Sequence, residues 1–580
     1  MDKDQVAAIL DEIGTLLELK GESAFRCNAY HNAARTIAQL GENIEDVVRE
    51  KRLAGLPGIG EGMREKITTL VETGRLKYYE DLRKQTPPGL VEMLRVQGLG
   101  PKKVKALYEE LDIDSLDKLK AACEAGEVAK LKGFGAKTQE KILEGIEFLG
   151  QMGGRVRLDQ ALAIAQAITT ELARVPGIIR MEVCGSLRRR KETCKDIDVL
   201  VSANKPGPIM DRFVHLPGVR QVIGHGDTKS SVIIEGGRAG ERVLMNADLR
   251  VISDKQYPFA LLYFTGSKEH NIRLRARAQD RGLKLNEYEL AGPGKSISCK
   301  DEEDIFAALD LDYIPPELRE DTGEIDAAEK HRLPKLVEAD DVQGVFHCHT
   351  DWSDGNSTLE EMAEAARELG LKYLGIADHS QSLTVAGGLT PKEVREQQEQ
   401  IDRLNERLQG IHLFKGIECD ILADGTLDYD DKLLASFDYV VASVHSHFKM
   451  TREEMTKRII RAIANPHVTM LGHATGRLLL RREGYAVDLE AVLQAARKER
   501  VMVEINAHPQ RLDLDWIHCK RARELGVELV INPDAHHTSE IGLYRYGVDV
   551  ARRGWLEKGD VFNTRSLAQV SKALAARRGK

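Results

Sequence analysis

From residue 344 to the end of the chain, short apolar segments alternate with longer amphipathic segments, as in GVFHCHTDWSDG, TLEEMAEAARELG and LKYLGIADHS. A short apolar run followed by a helical pattern is typical of β/α units, whose strands lie parallel in one sheet. Repetition of such units predicts a β/α barrel from residue 344 onward. Barrels of this kind build their active sites at the carboxyl ends of the strands.

Potential metal ligands stand at those predicted strand ends. They are His347, His349, Asp354, His379, Glu418, His445, His473, Asp534 and His536. A single histidine is more often a structural residue, but six histidines and three carboxylates at equivalent positions are poorly explained by coincidence. The two histidines of the HCH motif are two residues apart, so a regular strand would place both on one face.

The ligand types indicate the chemistry of this cluster. Nitrogen and carboxylate oxygen without a thiolate suit Mn²⁺, Zn²⁺ or Fe²⁺, and nine ligands can hold two or three ions. Ions held close together activate water and clamp a phosphate group. The pattern therefore predicts hydrolysis of a phosphoester.

A different motif recurs three times in the mostly helical pattern of residues 1–150. The copies are LPGIGEGMREKI, VQGLGPKKVKAL and LKGFGAKTQEKI, with the glycine pairs Gly58 and Gly60, Gly98 and Gly100, and Gly133 and Gly135. Glycine permits positive φ and close approach of another chain, and a helix start offers free N–H groups to a phosphate. One copy alone could equally be a tight turn, but three copies favour contact with a nucleic-acid backbone.

Three carboxylates lie on apolar segments of the middle region. Asp196 and Asp198 alternate at the start of DIDVLV, so both project from one face of a strand, and Asp248 lies in VLMNADLRVI. Gly185 and Ser186 precede them and are followed by three arginines. A DxD pair alone could be a solvated strand end, but this combination suits two Mg²⁺ ions and a triphosphate.

Composition and charge exclude several classes of protein. A chain of 580 residues with 42% hydrophobic and 30% charged residues is expected to form several folded domains. No membrane-spanning or secretory segment is expected, and eight scattered cysteines without a CxxC pair fit reduced thiols in a cytoplasm. Residues 51–300 carry a basic excess, whereas residues 301–335 are acidic, contain prolines and predict a boundary.

Residues 1–330 resemble the family X DNA polymerases. The similarity lies in NAY and LPGIG near the N-terminus, in CGSLRRR and DID of a palm, and in LYFTGS and LNEY of a thumb. Residues 336–580 resemble the PHP (polymerase and histidinol phosphatase) domain, with all nine ligand positions filled. The order of the two parts resembles that of the bacterial family X DNA polymerases.

The resemblance implies a multidomain α/β protein with helical helix-hairpin-helix domains, a nucleotidyltransferase-type palm and thumb, and a distorted β/α barrel. The implied domains are a lyase-like domain (1–85), fingers (86–150), a palm (151–260), a thumb and linker (261–335) and a PHP domain (336–580). The three carboxylates Asp196, Asp198 and Asp248 form one site, the carboxylate triad. The nine potential metal ligands within residues 347–536 form another, the cage. Because these two sites lie in different parts of the chain, they are expected to work independently.

The resemblance also implies roles for individual residues. Asp196, Asp198 and Asp248 would bind Mg²⁺, while Gly185, Ser186 and Arg189 would meet the triphosphate. Tyr263, Phe264 and Gly266 of YFTGS would pack on the incoming sugar, with Asn271 at the base and Arg275 at the template. By itself, YFTGS could equally be a buried strand and turn.

Lys66 occupies the position of the family's Schiff-base lysine, which attacks an abasic sugar. Arg26 matches one basic residue of the family's 5′-phosphate pocket, whereas Gly62 replaces another and Phe25 replaces a histidine. An exposed helical lysine that contacts phosphate is the alternative interpretation of Lys66.

The expected function is a monomeric DNA polymerase that fills short gaps in DNA repair, acting on gapped or primer–template DNA and dNTPs. Its PHP domain would supply a 3′→5′ exonuclease dependent on two or three Mn²⁺ or Zn²⁺ ions, and in some family members this domain cleaves abasic sites. Two alternatives remain, a polymerase fused to a small-molecule phosphatase and a DNA-binding scaffold with remnant sites.

Overall fold

The structure is a computed structural model that describes residues 3–38, 44–56, 58–94, 96, 99–151, 154–238, 242–292 and 294–578. The chain divides into two compact units. The first comprises Met1–Gln166, Gly218–Gln221 and Ile233–Asn246, and the second comprises Ala167–Pro217, Val222–Val232 and Ala247–Lys580. The predicted multidomain α/β class is confirmed.

Nine helices form most of the described part of the first unit. They are α1 (Lys3–Lys20), α2 (Ala24–Ala38), α3 (Ile44–Arg49), α4 (Glu61–Thr73), α5 (Lys77–Gln85), α6 (Pro88–Met93), α7 (Pro101–Leu111), α8 (Leu116–Glu124) and α9 (Gly135–Gln151). One hydrophobic core runs through them. The central residues of the three glycine motifs, Ile59, Leu99 and Phe134, are all buried in this core. Each glycine motif is therefore fixed to the hydrophobic core by its central apolar residue, in the same way at all three places.

A five-stranded sheet carries the three carboxylates of the middle region. The elements here are β1 (Val156–Arg157), α10 (Leu158–Leu172), β2 (Ile178–Val183), α11 (Gly185–Arg188), β3 (Thr193–Cys194), β4 (Asp196–Ala203), α12 (Gly207–Val214), β5 (Val219–His225), β6 (Lys229–Gly236) and β7 (Val243–Ile252). The strand order is β2-β4-β7-β6-β5, and β2 is antiparallel to β4. At the start of β4, Ile197 is buried between the more exposed Asp196 and Asp198, as the predicted alternation requires.

The region that follows is helical with a small sheet. Its elements are α13 (Tyr257–Thr265), α14 (Lys268–Asp280), β8 (Lys284–Leu285), β9 (Leu290–Gly292), β10 (Lys295–Ile297), α15 (Glu302–Ala308) and α16 (Glu324–Glu329). The acidic segment 301–335, which we expected to include a linker, is folded into this region. Its apolar residues Phe306, Leu309 and Ile314 are fully buried in the same core as Phe259 and Leu274.

The remaining elements alternate strand and helix. They are β11 (Gly344–Cys348), α17 (Leu359–Glu368), β12 (Tyr373–Ile376), α18 (Pro391–Arg407), β13 (His412–Asp420), α19 (Asp431–Leu434), β14 (Tyr439–Ser443), α20 (Arg452–Ile463), β15 (Met470–Leu471), α21 (Leu489–Glu499), β16 (Met502–Asn506), α22 (Trp516–Leu525), β17 (Leu529–Asn532), α23 (Tyr544–Arg553) and α24 (Leu567–Arg578). The seven strands are parallel and lie in sequence order.

The ends of this sheet meet, so the barrel is nearly closed. Cys348 forms a parallel bridge to Ala535, and the amide of His349 donates to the Ala535 carbonyl at 2.8 Å. The amide of Phe346 donates to Asn532 Oδ1 at 3.0 Å. The aromatic rings of Phe346, Tyr373 and other strand residues form a separate buried cluster. The β/α barrel predicted from the alternating pattern is confirmed.

Glu302, at the start of α15, is a buried carboxylate between two arginines. Arg188 donates to it twice, at 2.7 and 3.0 Å, and the fully buried Arg319 donates to its Oε1. Burial alone would raise the pKa of Glu302, but Arg319 and Arg188 lower it to about 2. This carboxylate therefore stays charged and neutralises the fully buried Arg319 and the largely buried Arg188.

We expect Glu302→Gln to destabilise this region by about 3–5 kcal/mol, because the fully buried Arg319 and the largely buried Arg188 lose their counter-charge. Hydrogen exchange of the α15 amides measures the local change. The matched control is Glu303→Gln, an exposed neighbour on the same helix, which should shift stability by less than about 0.5 kcal/mol. Equal exchange in the two variants would contradict this assignment.

Candidate metal centres and nucleic-acid interface

The three carboxylates of the sheet lie on the neighbouring strands β4 and β7. Burial raises the pKa of Asp198 to about 6, and the negative charges of Asp196 and Asp248 add to the rise. Lys229 Nζ lies 2.9 Å from Asp248 Oδ2 and offsets part of this repulsion. Carboxylates that repel one another in a partly buried site are suited to hold divalent cations.

Gly185 stands against this triad. Its φ is +63°, and a Cβ atom at this position would lie 2.7 Å from Asp198 Oδ2. The amide of the preceding Cys184 donates to the Asp198 carbonyl at 2.8 Å. Only glycine fits here without strain. The turn that begins with Gly185 and Ser186 therefore packs directly against Asp198 of the carboxylate triad.

The three arginines after this turn each face a carboxylate. Arg188 pairs with Glu302, and Arg190 lies 3.7 Å from Asp549. Arg189 is buried, donating to Glu320 at 2.9 Å and to the Thr265 carbonyl at 2.7 Å. Sequence reasoning assigned this charge to an anionic ligand and missed the protein partners. Contact between Arg189 and a triphosphate stays a prediction.

The YFTGS motif ends helix α13, so the alternative of a buried strand and turn is wrong for these residues. The rings of Tyr263 and Phe264 are perpendicular, with centroids 5.2 Å apart. Asn271 donates to the Tyr263 carbonyl at 2.7 Å. A Cβ at Gly266 would lie 2.6 Å from Asn271 Oδ1, so the glycine permits this close packing. The exposed Arg275 donates to the Asn271 carbonyl at 3.3 Å.

The glycine motifs of the first unit present open backbone. Gly58, Gly133 and Gly135 have φ of +74°, +89° and +69°, while Gly60 and Gly100 precede helices α4 and α7 in an extended conformation. An added Cβ would meet nothing within 4 Å at Gly60, Gly100, Gly133 or Gly135. Gly98 lies outside the described residues. The turns can therefore approach another chain closely.

Lys66, on α4, lies beside two tyrosines. Its Nζ donates to the Gly62 carbonyl at 3.0 Å and lies 5.5 Å from the ring centre of Tyr78 and 6.0 Å from that of Tyr30. Arg26 donates to the Tyr78 hydroxyl at 3.0 Å. Sequence reasoning found Lys66 and Arg26 but missed Tyr78, which has no motif around it.

All nine predicted ligands of the barrel come together at the carboxyl ends of its strands. They form four groups whose ligand atoms lie within 4.8 Å of one another: His349, Asp354, His379 and His536; His347, His349 and Asp534; His347, Glu418 and His473; and His379, Glu418 and His445. His347, His349, His379 and Glu418 each belong to two groups. The groups are therefore continuous, as in a centre that holds several ions.

Glu418 lies at the middle of this cage. Its Oε1 is 2.9 Å from His473 Nε2 and 3.3 Å from His445 Nε2, and its Oε2 is 3.0 Å from His379 Nδ1. Burial raises the pKa of a carboxylate, but the surrounding histidines hold that of Glu418 well below its usual value. Glu418 would therefore offer a charged carboxylate to cations held by this cage.

Several ligands have a strained backbone. His347, His473 and Asp534 have φ of +55°, +23° and +53°. The pairing of β11 with β12 also shifts register between Val345 and Cys348. The regular strand expected at the HCH motif is therefore wrong, although the two rings still meet, with centroids 5.2 Å apart. Strain of this kind is concentrated at functional sites.

The ring nitrogens of the cage fit divalent metal ions. His347 Nε2, His379 Nδ1, His473 Nδ1 and both nitrogens of His349 are buried without a hydrogen-bond partner among the described residues. Burial and the neighbouring charges of His536 and His379 lower the pKa of His349 to about 3, so its ring is neutral. A neutral buried imidazole with a free lone pair is able to coordinate a metal ion.

Sequence reasoning missed the residues that orient these ligands. Glu504 contacts His347 Nδ1 at 2.6 Å and accepts the His473 amide at 2.7 Å, while Asp420 contacts His445 Nδ1 at 2.5 Å. Partners of this kind fix the tautomer and the ring orientation of a ligand. A charged residue inside an apolar strand, as in VEIN, is the signal that could have found Glu504. His447 and His537 lie outside all four groups.

Models of known families match the chain in five places. They are a helix-hairpin-helix domain (residues 1–76), a SAM-like helix-hairpin-helix tandem (90–147), the DNA polymerase beta palm (155–213), the DNA polymerase beta thumb (260–320) and the PHP domain (346–508). The "DNA polymerase/3'-5' exonuclease PolX" of Bacillus subtilis (strain 168) is 39% identical over 572 residues, 98% of this chain and 99% of that protein. The chain belongs to the bacterial family X DNA polymerases with a PHP domain.

Other relatives match a smaller part. A probable phosphatase of Thermoanaerobacter sp. (strain X514) is 29% identical over 230 residues, 38% of this chain and 89% of that protein. A probable phosphatase of Clostridium acetobutylicum is 27% identical over 207 residues, 34% of this chain and 80% of that protein. Among the described helices of this family X chain, none is long and apolar enough to cross a membrane.

Proposed function

We propose that the chain is a DNA-directed DNA polymerase that fills short gaps during repair. The observation that carries the proposal is the convergence of Asp196, Asp198 and Asp248 beside Gly185, in a chain that is similar to a polymerase over almost its whole length. The substrates would be dNTPs and gapped or primer–template DNA. The active form would be a monomer in the cytoplasm, where its eight buried free cysteines stay reduced.

Each part of the polymerase site would have its own task. Bound Mg²⁺ ions would neutralise the triphosphate and activate the primer hydroxyl. Asp196, Asp198 and Asp248 would hold the cations, and Gly185 and Ser186 would leave room for the phosphates beside them. The perpendicular rings of Tyr263 and Phe264 form a wall against the sugar. Asn271, fixed by the Tyr263 carbonyl, faces the base, and Arg275 reaches the template.

We propose that the glycine turns of the first unit bind the DNA backbone. Gly60, Gly100 and Gly133 leave the peptide groups open to another chain, and helices α4, α7 and α9 begin beside these turns. Helix N-termini attract phosphate without reading sequence. This arrangement suits a repair enzyme, which must act at any sequence.

We propose that the barrel is a 3′→5′ exonuclease that uses two or three Mn²⁺ or Zn²⁺ ions. Bound ions would lower the pKa of a coordinated water and stabilise the charge on a phosphodiester. Glu418 and Asp534 supply negative charge, the histidines complete the ligand set, and Glu504 fixes the orientation of His347. The similarity to probable phosphatases makes a small-molecule phosphomonoester the second candidate substrate.

Asp198→Ala or Asp248→Ala should reduce nucleotide addition by roughly 10²- to 10³-fold or more, because a ligand for the charge-neutralising cations is lost. Primer extension on a one-nucleotide gap measures the rate, and a gel-shift assay should show unchanged DNA affinity. Asp211→Ala, an exposed carboxylate on α12, is the matched control. Near-normal extension by either triad variant would overturn the proposed polymerase site.

Substitution of His347 and His349 together by Ala should abolish metal-dependent 3′→5′ degradation, because three of the four ligand groups lose members. Metal content after dialysis should fall in parallel. Assays with 3′-labelled DNA and with histidinol phosphate distinguish the two candidate substrates. His447→Asn, at an exposed site outside the cage, is the control. Undiminished degradation of DNA by the double variant would place the nuclease elsewhere.

We also propose that Lys66 forms a Schiff base with an abasic 5′-deoxyribose phosphate. Its place beside the stacked rings of Tyr30 and Tyr78, with Arg26 donating to the Tyr78 hydroxyl, provides an aromatic surface and a cation for the phosphate. Borohydride should trap the chain on an incised abasic duplex. Trapping should disappear in Lys66→Ala and persist in Lys77→Ala, an exposed lysine on α5. Equal trapping by both variants would assign Lys66 to phosphate contact instead.

A further inference from the structure

The palm segment between Ser186 and Asp196 is held by side chains of the barrel. Arg553, in the last turn of α23, donates from Nη1 to the Arg189 carbonyl oxygen at 2.7 Å. The same nitrogen donates to Glu320 at 3.2 Å. The Arg553 side chain is fully buried and lies over the ring of Trp516, 4.9 Å from its centre. A buried guanidinium with two such acceptors holds the backbone of Arg189 in one position.

Two further contacts from the barrel reach the same segment. Asp549, one turn earlier on α23, lies 3.7 Å from Arg190 Nε. Arg477, which follows the ligand His473 by four residues, donates to Glu192 at 3.1 Å. Residues 189–192 are therefore contacted from two separate parts of the barrel. Both side chains of the Arg477–Glu192 pair are only 18% exposed, so these contacts are not loose surface pairs.

The thumb completes this cluster of charges. Glu320 accepts from Arg189 Nε at 2.9 Å as well as from Arg553. Burial favours the protonated form of Glu320, but Arg189 and Arg553 hold its pKa below the usual value. Next to Arg553 on the barrel side, Arg552 donates to Glu317 at 2.7 Å, and Trp555 belongs to the hydrophobic core of the thumb. Palm, thumb and barrel meet in one buried network.

We propose that Arg553 is a positioning residue of the polymerase site, through which the barrel sets the backbone of residues 185–192 and thereby the affinity for an incoming nucleotide. The inference rests on the proposed polymerase function. The braced segment contains Arg189 and joins the turn at Gly185 and Ser186 to the carboxylates of β4. A displacement of about 1 Å in such a site can cost roughly 10²-fold in rate. Arg553 is outside the metal cage, so its effect on the two reactions should differ.

The test uses the full-length chain and steady-state nucleotide addition on a one-nucleotide gap. Arg553→Met keeps the bulk of the side chain but removes its donors. We expect KM for the dNTP to rise roughly 3- to 30-fold, with a smaller change in kcat and unchanged 3′→5′ degradation. Arg553→Lys, which keeps the charge, should recover part of the affinity. Arg545→Met, an exposed arginine on the same helix, should leave KM unchanged.

An unchanged KM in a folded Arg553→Met variant would overturn the inference. An equal fall of nucleotide addition and degradation, without a change in KM, would indicate general structural damage and would also overturn it. If Arg553→Met does not fold, Glu192→Gln tests the contact with Arg477, and KM should again rise; an unchanged KM would contradict the inference. A wild-type chain that adds no nucleotide would instead overturn the proposed function, and this inference with it.

Discussion

A carboxylate buried in a protein must be neutralised, because the free energy of removing its charge from water is large. Both centres of this chain depend on this constraint. Asp198 shares a partly buried site with two other carboxylates, and burial together with their negative charges raises its pKa. Glu418 is enclosed by histidines, and several of the ring nitrogens in this cage, such as His473 Nδ1, lack a hydrogen-bond partner among the described residues. Divalent cations would satisfy both requirements, and the interaction that stabilises each site would then also provide its chemistry.

The same constraint explains why the acidic segment 301–335 is folded. Glu302 and Glu320 neutralise Arg188, Arg189, Arg319 and Arg553, each of which is wholly or largely buried. Without these carboxylates, the arginines after the Gly185 turn would carry uncompensated charge into the interior. Because ion pairs are directional, they also fix how the segments they join are oriented. A change in one partner therefore acts at a distance from the reacting groups.

Much of the fold and the cage could be predicted from the sequence because local sequence patterns determine the strands, the helices and the residues at the strand ends. The alternating apolar segments predicted the barrel, and strand ends such as His379 and Asp534 gave the ligands, since topology alone brings strand ends together. Partners from distant segments could not be predicted in this way. Glu504 lies 157 residues from His347, and Lys229 reaches Asp248 from another strand. The acidic run was interpreted as a linker because composition does not show which charges are paired.

At both centres the backbone adopts positive φ, but the residues that adopt it differ. At the palm, close approach of the backbone to Asp198 is made possible by Gly185, which adopts positive φ without strain. In the barrel, His347, His473 and Asp534 adopt positive φ although each has a side chain, at a cost of about 1–3 kcal/mol each. Glycine would relieve that strain but would remove a ligand. The barrel backbone is therefore strained where the side chain itself would have to reach a cation, whereas the palm has glycine where only the peptide backbone must fit.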